Sequence, residues 1–236
     1  MAGGLQGATP GGQALIEPFD YDGVRLLPGR MLDQVEHARG VYGQIPDDDI
    51  LKGFRRRAGL PAPGRDMRGW CKDTSAGIFG QFLSGMARLG RVTGERALFD
   101  KANALLEGWH ATLPENGNLG MQPYPREKLV CGLVDLHAYS GLTKALPILR
   151  QVTASFERSF DRTRRLADNY DFQGAGPALT RELYTLPENL YRAYLATGDR
   201  AFRDFAEVWL YEDYWLRFAT TPAQPPANGM DRRSPL

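Results

Sequence analysis

Apolar residues recur along most of this chain at intervals of three and four, the spacing that puts them on one stripe of an α-helix. Ile78, Phe82, Met86 and Leu89 make one stripe, and Leu98, Ala102, Leu105, Trp109 and Leu113 the next. Leu129, Leu133 and Leu136 follow, then Ala145, Leu149, Val152, Phe156 and Phe160. Leu179, Leu183, Leu186, Leu190 and Tyr194 form another, and Phe202, Phe205 and Trp209 the last. Upstream, Leu32, Val35 and Tyr42 fit a helix, and Asp47–Arg57 fits a second, shorter one. Strand-like alternation is scarce: residues 24–27, closed by Pro28, are the only stretch that reads as a strand.

The connections carry more information than the stripes. Thr93-Gly94-Glu95-Arg96-Ala97, Ser140-Gly141-Leu142-Thr143-Lys144-Ala145 and Thr197-Gly198-Asp199-Arg200-Ala201 are variants of one device. In each, an apolar helix ends at Gly, which adopts the left-handed cap conformation at little cost, and the next helix opens a few residues later. Gly94, Gly141 and Gly198 are 47 and then 57 residues apart. Two helices per such unit is the pattern of a helical repeat or toroid. Longer stretches rich in Gly, Pro, Asn and Asp (residues 61–73, 114–125 and 168–177) separate the pairs. In a ring of hairpins these loops share one face, where a cleft belongs.

The expected fold class is therefore all-α, a helical repeat or toroid built from helix hairpins, with stripes that amount to about eight helices. Residues 1–16, rich in Gly, read as a disordered leader, and residues 17–219 as the partial toroid domain. Residues 220–236, where Pro and polar residues replace the stripe, read as a disordered tail.

Composition narrows the function classes. With 29 Lys and Arg against 28 Asp and Glu, interspersed, the chain has no basic surface for nucleic acid or membrane. The basic runs at residues 55–57 and 162–165 read as solvated helix ends. Cys71 and Cys131 stand sixty residues apart without a CxxC spacing, and read as small buried hydrophobes. His37, His110 and His137 show no metal-binding spacing, so no metal site is expected from these residues. No stretch approaches the ~20 apolar residues that span a bilayer. The N-terminus lacks the order of a secretory signal, which leaves the cytoplasm as the default compartment.

Candidate chemistry gathers where the long loops enter helices. Gly69-Trp70 and Asp73 precede the helix that begins near Ser75. Tyr124-Pro125-Arg126-Glu127-Lys128 opens another, and Thr185-Leu186-Pro187-Glu188 a third. Sugar recognition needs such parts: an aromatic face for the ring, and carboxylates and amides for the hydroxyls. Hydrolysis needs in addition two carboxyl groups about 5–5.5 Å or 6.5–9.5 Å apart. Structural readings stand beside these. Thr185-x-x-Glu188 is a capping box, Glu127 a first-turn acid that suits the helix dipole, and Asp73 an N-cap. Trp70 is a loop anchor or a stacking platform. Gln81 adjoins the core position Phe82, and Gly77 and Gly80 permit close approach of another backbone.

At these residues the chain resembles glycoside hydrolase family 127, the β-L-arabinofuranosidase type with an (α/α)6 barrel. Leu26-Leu27-Pro28-Gly29 resembles the family's opening strand, and Ile50-Leu51-Lys52-Gly53-Phe54-Arg55 with Ala58-Gly59-Leu60 its next helix and turn. Gly80-Gln81-Phe82-Leu83-Ser84 is similar to a G-H-Y-L-S motif. Tyr124, Lys128, Gly132-Leu133 and Asp135 match Y-x-x-H-K-x-x-x-G-L-x-D, and Glu188-Asn189-Leu190-Tyr191 through Thr197-Gly198-Asp199 resembles E-x-L-Y…L-T-G-D. The resemblance covers about residues 17–218 and implies that the helix hairpins form an incomplete (α/α)6 toroid. Two histidines that the family directs toward its sugar stand here as Gln81 and Glu127.

The resemblance implies an arabinofuranosidic or related plant or bacterial glycan as the partner, with Trp70, Asp73, Gln81, Glu127 and Glu188 as substrate contacts. The family holds zinc through a glutamate and cysteines and uses a cysteine nucleophile and an acid/base glutamate. These belong to a later part of the barrel than the chain matches, and Cys71 and Cys131 do not correspond to them. No cofactor is expected of this chain, no catalytic pair is assigned, and a truncated form without turnover is the expectation. Were the chain to hydrolyse a glycan alone, Glu127 and Glu188 would be the first choice. The alternative is a non-catalytic helical-repeat module that binds a glycan or a protein partner. An open toroid leaves apolar flanks uncovered, so self-association through an edge that includes Trp209 and Trp215 is also expected.

Overall fold

The computed structural model describes residues 21, 23–72, 78–114, 123–158 and 185–210. Among these the chain is all helical. The helices are α1 (Arg30–Gln44), α2 (Asp47–Arg57), α3 (Phe79–Thr93), α4 (Arg96–His110), α5 (Pro123–Ser140), α6 (Ala145–Glu157), α7 (Leu186–Thr197) and α8 (Arg200–Glu207), with one 3₁₀ turn at Gly69–Cys71. The expected leader and tail, and the positions of Phe160, Leu179 and Leu183, lie outside the described residues. Residues 24–27 do not form the expected strand. No second strand among the described residues is there to satisfy its backbone donors and acceptors, and a lone strand has no ladder to join.

The helix α2 runs from Asp47 to Arg57, as its periodicity and charge order predict. Asp47, Asp48 and Asp49 occupy the first turn and Arg55, Arg56 and Arg57 the last, each sign matched to its end of the helix dipole. The glycine turns form as expected, with φ of 72° at Gly94, 67° at Gly141 and 70° at Gly198. A side chain would strain each of these backbones. A hydroxyl completes each stop: Thr93, Ser140 and Thr197 donate to the carbonyls of Leu89, Leu136 and Ala193. In two turns the same hydroxyl accepts from the residue after the glycine, Glu95 or Asp199. Asp199 then caps α8 by accepting from the Ala201 amide at 3.1 Å.

The hairpins assemble into a row. Helices α3, α5 and α7 pack side by side, and each is backed by the helix that follows it, α4, α6 and α8. The row is parallel. Gly80 faces Lys128 and Gly132, while Arg88, two turns further along α3, faces Asp135. Glu127 faces Asn189, and Asp135 faces Arg192. Contact between α3 and α5 is backbone on backbone, because Gly80 and Gly132 present no side chain where the helices cross. Close packing at Gly80 was one reading of the sequence; Gly77 lies outside the described residues.

The core runs between row and backing. Phe54, Phe79 and Trp109 cluster at one end, with ring centroids 5.1 and 5.5 Å apart. Phe156, Phe205 and Trp209 cluster at the other, with Phe156 and Trp209 stacked at 5.6 Å. Burial of each such ring stabilises the fold by about 1.5–3 kcal/mol. Trp209 is fully buried. It is therefore core, not part of an exposed association edge, and Trp215 lies outside the described residues.

Candidate functional site

Three of the sequence-derived candidates, Gln81, Glu127 and Glu188, lie near the starts of α3, α5 and α7. Trp70 sits in the 3₁₀ turn that precedes α3, and Asp73 lies outside the described residues. Gln81 is the third residue of α3 and Glu188 the third of α7; both are exposed. Glu127 is the fifth residue of α5 and only 4% exposed. Since α5 starts at Pro123, Glu127 stands past the first turn, and the first-turn dipole reading does not apply to it. The expected capping box also does not close. Thr185 makes no side-chain cap bond, and its backbone (φ −84°, ψ −18°) is already helical, where a cap needs extended backbone.

Glu127 is the buried member of the set. Its Oε1 accepts from Asn189 Nδ2 at 2.5 Å. Lys128 Nζ lies 2.8 Å from Oε2 as an ion-pair neighbour, yet Oε2 receives no hydrogen bond from the described residues. A carboxylate offers about four acceptor positions, so this buried group keeps acceptor capacity unused.

Behind Glu127 runs a polar seam that the sequence reading did not anticipate. Asn189 Oδ1 accepts from Arg192 Nη1 at 2.8 Å, and Arg192 Nη2 donates to Asp135 Oδ1. Asp135, with no exposed surface, also takes Ser84 Oγ at 2.6 Å, Arg88 Nε at 2.8 Å and Arg88 Nη2 at 3.3 Å. Its acceptor positions are thereby filled. Arg88 reaches on to the Tyr21 hydroxyl at 3.0 Å. Eight residues of α5 separate Glu127 from Asp135, about 12 Å of helix, and the seam stitches all three row helices over that length.

Charge is unevenly shared along the seam. Burial works against the Arg88 and Arg192 cations, but hydrogen bonding to Asp135 and its charge outweigh this and hold both guanidiniums above their ordinary range. The Cys131 thiol, 3.8 Å from Asp135 Oδ2, is pushed up by burial first and by the Asp135 charge second. Burial brings Arg126, 4.3 Å above the Phe156 ring, down to about 10.

The family's zinc can be tested against this donor set. No three His, Cys, Asp or Glu side chains among the described residues are grouped to hold a metal ion. Asp135 is saturated by two arginines and Ser84, and Cys131 is kept a thiol beside it. These residues do not fit a zinc site, and no step is derived through one. No described helix is long and apolar enough to cross a membrane.

Signals for the seam were present in the sequence. Asp135 interrupts the apolar run of residues 129–136, and Glu127, Cys131 and Asp135 recur at intervals of four, as do Ser84 and Arg88. A carboxylate inside such a run announces a buried, paired charge.

Comparison with curated protein sequences gave no match. The family model described as beta-L-arabinofuranosidase, GH127 catalytic domain, matches residues 23–232, nearly the whole chain and every helix described above. Helix pairs with buried polar groups at their convergent starts, together with that match, place the chain in the GH127 beta-L-arabinofuranosidase family of glycoside hydrolases.

Proposed function

We propose that this chain binds an arabinofuranosidic or related glycan at the face where α3, α5 and α7 begin, and that its hairpin row is part of an (α/α)6 toroid. The observation that carries the reading is Glu127: a buried carboxylate at the meeting of two helix starts, with one oxygen anchored by Asn189 and the other given an ion-pair neighbour but no hydrogen bond by the described residues. A sugar hydroxyl is a donor of the kind this oxygen lacks. Gln81 and Glu188, exposed on the first turns of α3 and α7, are proposed as further contacts on the same face, and Trp70 by its place in the turn before α3. Asp73 is proposed with them by its place in the sequence. Family membership supports the sugar class.

The test is calorimetric titration with a nitrophenyl arabinofuranoside. Saturable binding is expected, weakened about tenfold or more by Glu127→Ala, the size of one hydrogen bond to a charged acceptor. Gln81→Ala and Glu188→Ala should weaken it less. Release of nitrophenol is not expected, because Glu127 is engaged by Asn189 and Lys128 and suits hydroxyl binding better than proton transfer. Turnover abolished by Glu127→Gln would overturn that role, and absence of binding would overturn the site.

One observation favours the second reading, a non-catalytic module with a protein partner or a second copy. Helix α1 contributes no buried side chain, and Leu27 and Met31 are 70% and 65% exposed, with Val41 and Tyr42 nearly half exposed. Sedimentation distinguishes them: a monodisperse monomer at all concentrations removes the self-association arm.

A further inference from the structure

We propose that Asp135 and Arg192 are positioning residues for Glu127, acting through Asn189 to fix the direction in which its carboxyl group is held at the sugar face. The inference deepens the reading of Glu127 as a glycan contact and rests on it for its functional meaning, though its geometry stands without it.

Donors and acceptors along the seam leave the Asn189 amide one orientation. An arginine guanidinium carries donors and no acceptor. Arg192 Nη1 sits 2.8 Å from the Asn189 side chain, so the amide oxygen must face it. The amide NH2 is then compelled to face Glu127, 2.5 Å away. Were the Asn189 amide to turn over, its oxygen would confront the carboxylate and both acceptors would be left without a proton between them. Arg192 itself is held by Asp135, and Asp135 by the bidentate Arg88 and by Ser84. Orientation therefore passes from a buried, saturated carboxylate on α5, through α7, back to a carboxylate two turns earlier on α5.

Lysine at position 192 would keep the positive charge but not the planar fork that reaches Asn189 and Asp135 together. That difference separates relay from mere charge. The Asn189 side-chain amide is followed by nitrogen-15 NMR in the full chain, in Glu127→Ala and in Arg192→Lys. One amide proton is expected downfield of its ordinary position in the full chain and displaced from there in both variants. Stability in urea gives a further readout: the losses from Glu127→Ala and Arg192→Lys are expected not to add, although neither side chain bonds the other, and to add once Asn189 is replaced by alanine. Unmoved Asn189 amide signals in folded Arg192→Lys, or fully additive losses, would overturn the relay.

Should the Arg192 variant not fold, the unmutated chain gives a second reading. The Asn189 amide protons and the Arg192 guanidinium protons should both be protected from exchange with water, and an Arg192 guanidinium that exchanges freely would sink the proposal. None of these measurements contains a sugar. If the relay is found but an added arabinofuranoside leaves the Asn189 amide signals unchanged, the glycan site fails and the relay remains.

Discussion

Substituting Gly80 by Ala tests the contact on which the row depends. A Cβ at position 80 would lie 2.0 Å from the Lys128 carbonyl oxygen, 2.1 Å from its carbon and 2.4 Å from the Leu129 nitrogen. The closest approach falls 1.4 Å short of the 3.4 Å at which ordinary van der Waals contact begins. All three atoms are backbone of α5, so no side chain can swing aside, and the two helices must part. Overpacking of this kind costs about 1–3 kcal/mol, and a backbone obstacle places it at the upper end. Alanine recovers about 0.5–1 kcal/mol of helix propensity, which leaves a net loss of about 2 kcal/mol. For a chain of this size that is a fall in Tm of about 4–8 °C. Gly85 is the internal control. It lies on the same helix with nothing within 4 Å of its Cβ position. Gly85→Ala should therefore raise Tm by about 1–4 °C, through propensity alone. The assay is thermal and urea unfolding followed by circular dichroism at matched protein concentration. A Gly80→Ala protein within 0.5 kcal/mol of the parent, or a Gly85→Ala protein that loses as much, would refute the backbone-contact argument.

Three further outcomes are expected. Trp209→Ala should lower stability by about 3–5 kcal/mol in urea titration, since it empties a fully buried site stacked on Phe156; a loss below about 1 kcal/mol would return Trp209 to the surface. Cys131 is raised by burial and by Asp135, so less of it is thiolate at a given pH. Its alkylation by iodoacetamide at pH 8 should be at least about tenfold slower than in the urea-unfolded chain and should quicken as pH rises; equal rates would contradict the burial argument. A chelator should leave Tm unchanged, as the described donors do not fit zinc, and a fall reversed by added zinc would show a site among other residues.

Much of the fold was legible because it rests on local rules. Helix α2 is bounded by its own charges, and Gly94, Gly141 and Gly198 mark turns whose φ no other residue adopts easily. The stripe of α4 gave its buried face nearly residue for residue, whereas α3 also buries Phe79, Leu83 and Ala87 and α6 Ile148, which their stripes omit because each of these helices is covered on more than one side. The strand at residues 24–27 failed because a strand is a property of two segments, and alternation in one does not supply the other. Site legibility stopped at the same boundary. Glu127 could be selected as a polar residue near a helix start, but its burial is set by Asn189, sixty-two positions away. Asp135 was visible within a motif match, whereas its two arginines come from helices on either side of it. Periodicity reports which face of a helix is apolar; it carries no word of which charge waits across the gap.

The parallel row has a consequence for how such a domain can diversify. Its helices are registered against one another from within, by glycines that touch backbone and by fixed charges along the seam. The registering contacts named here all lie within the helices themselves. Lengthening a surface loop costs little, since closure entropy grows only with the logarithm of its length. Insertions at the open face can therefore reshape what is recognised while the helix starts stay where they are, and a chain of this build can change its diet without relearning its fold.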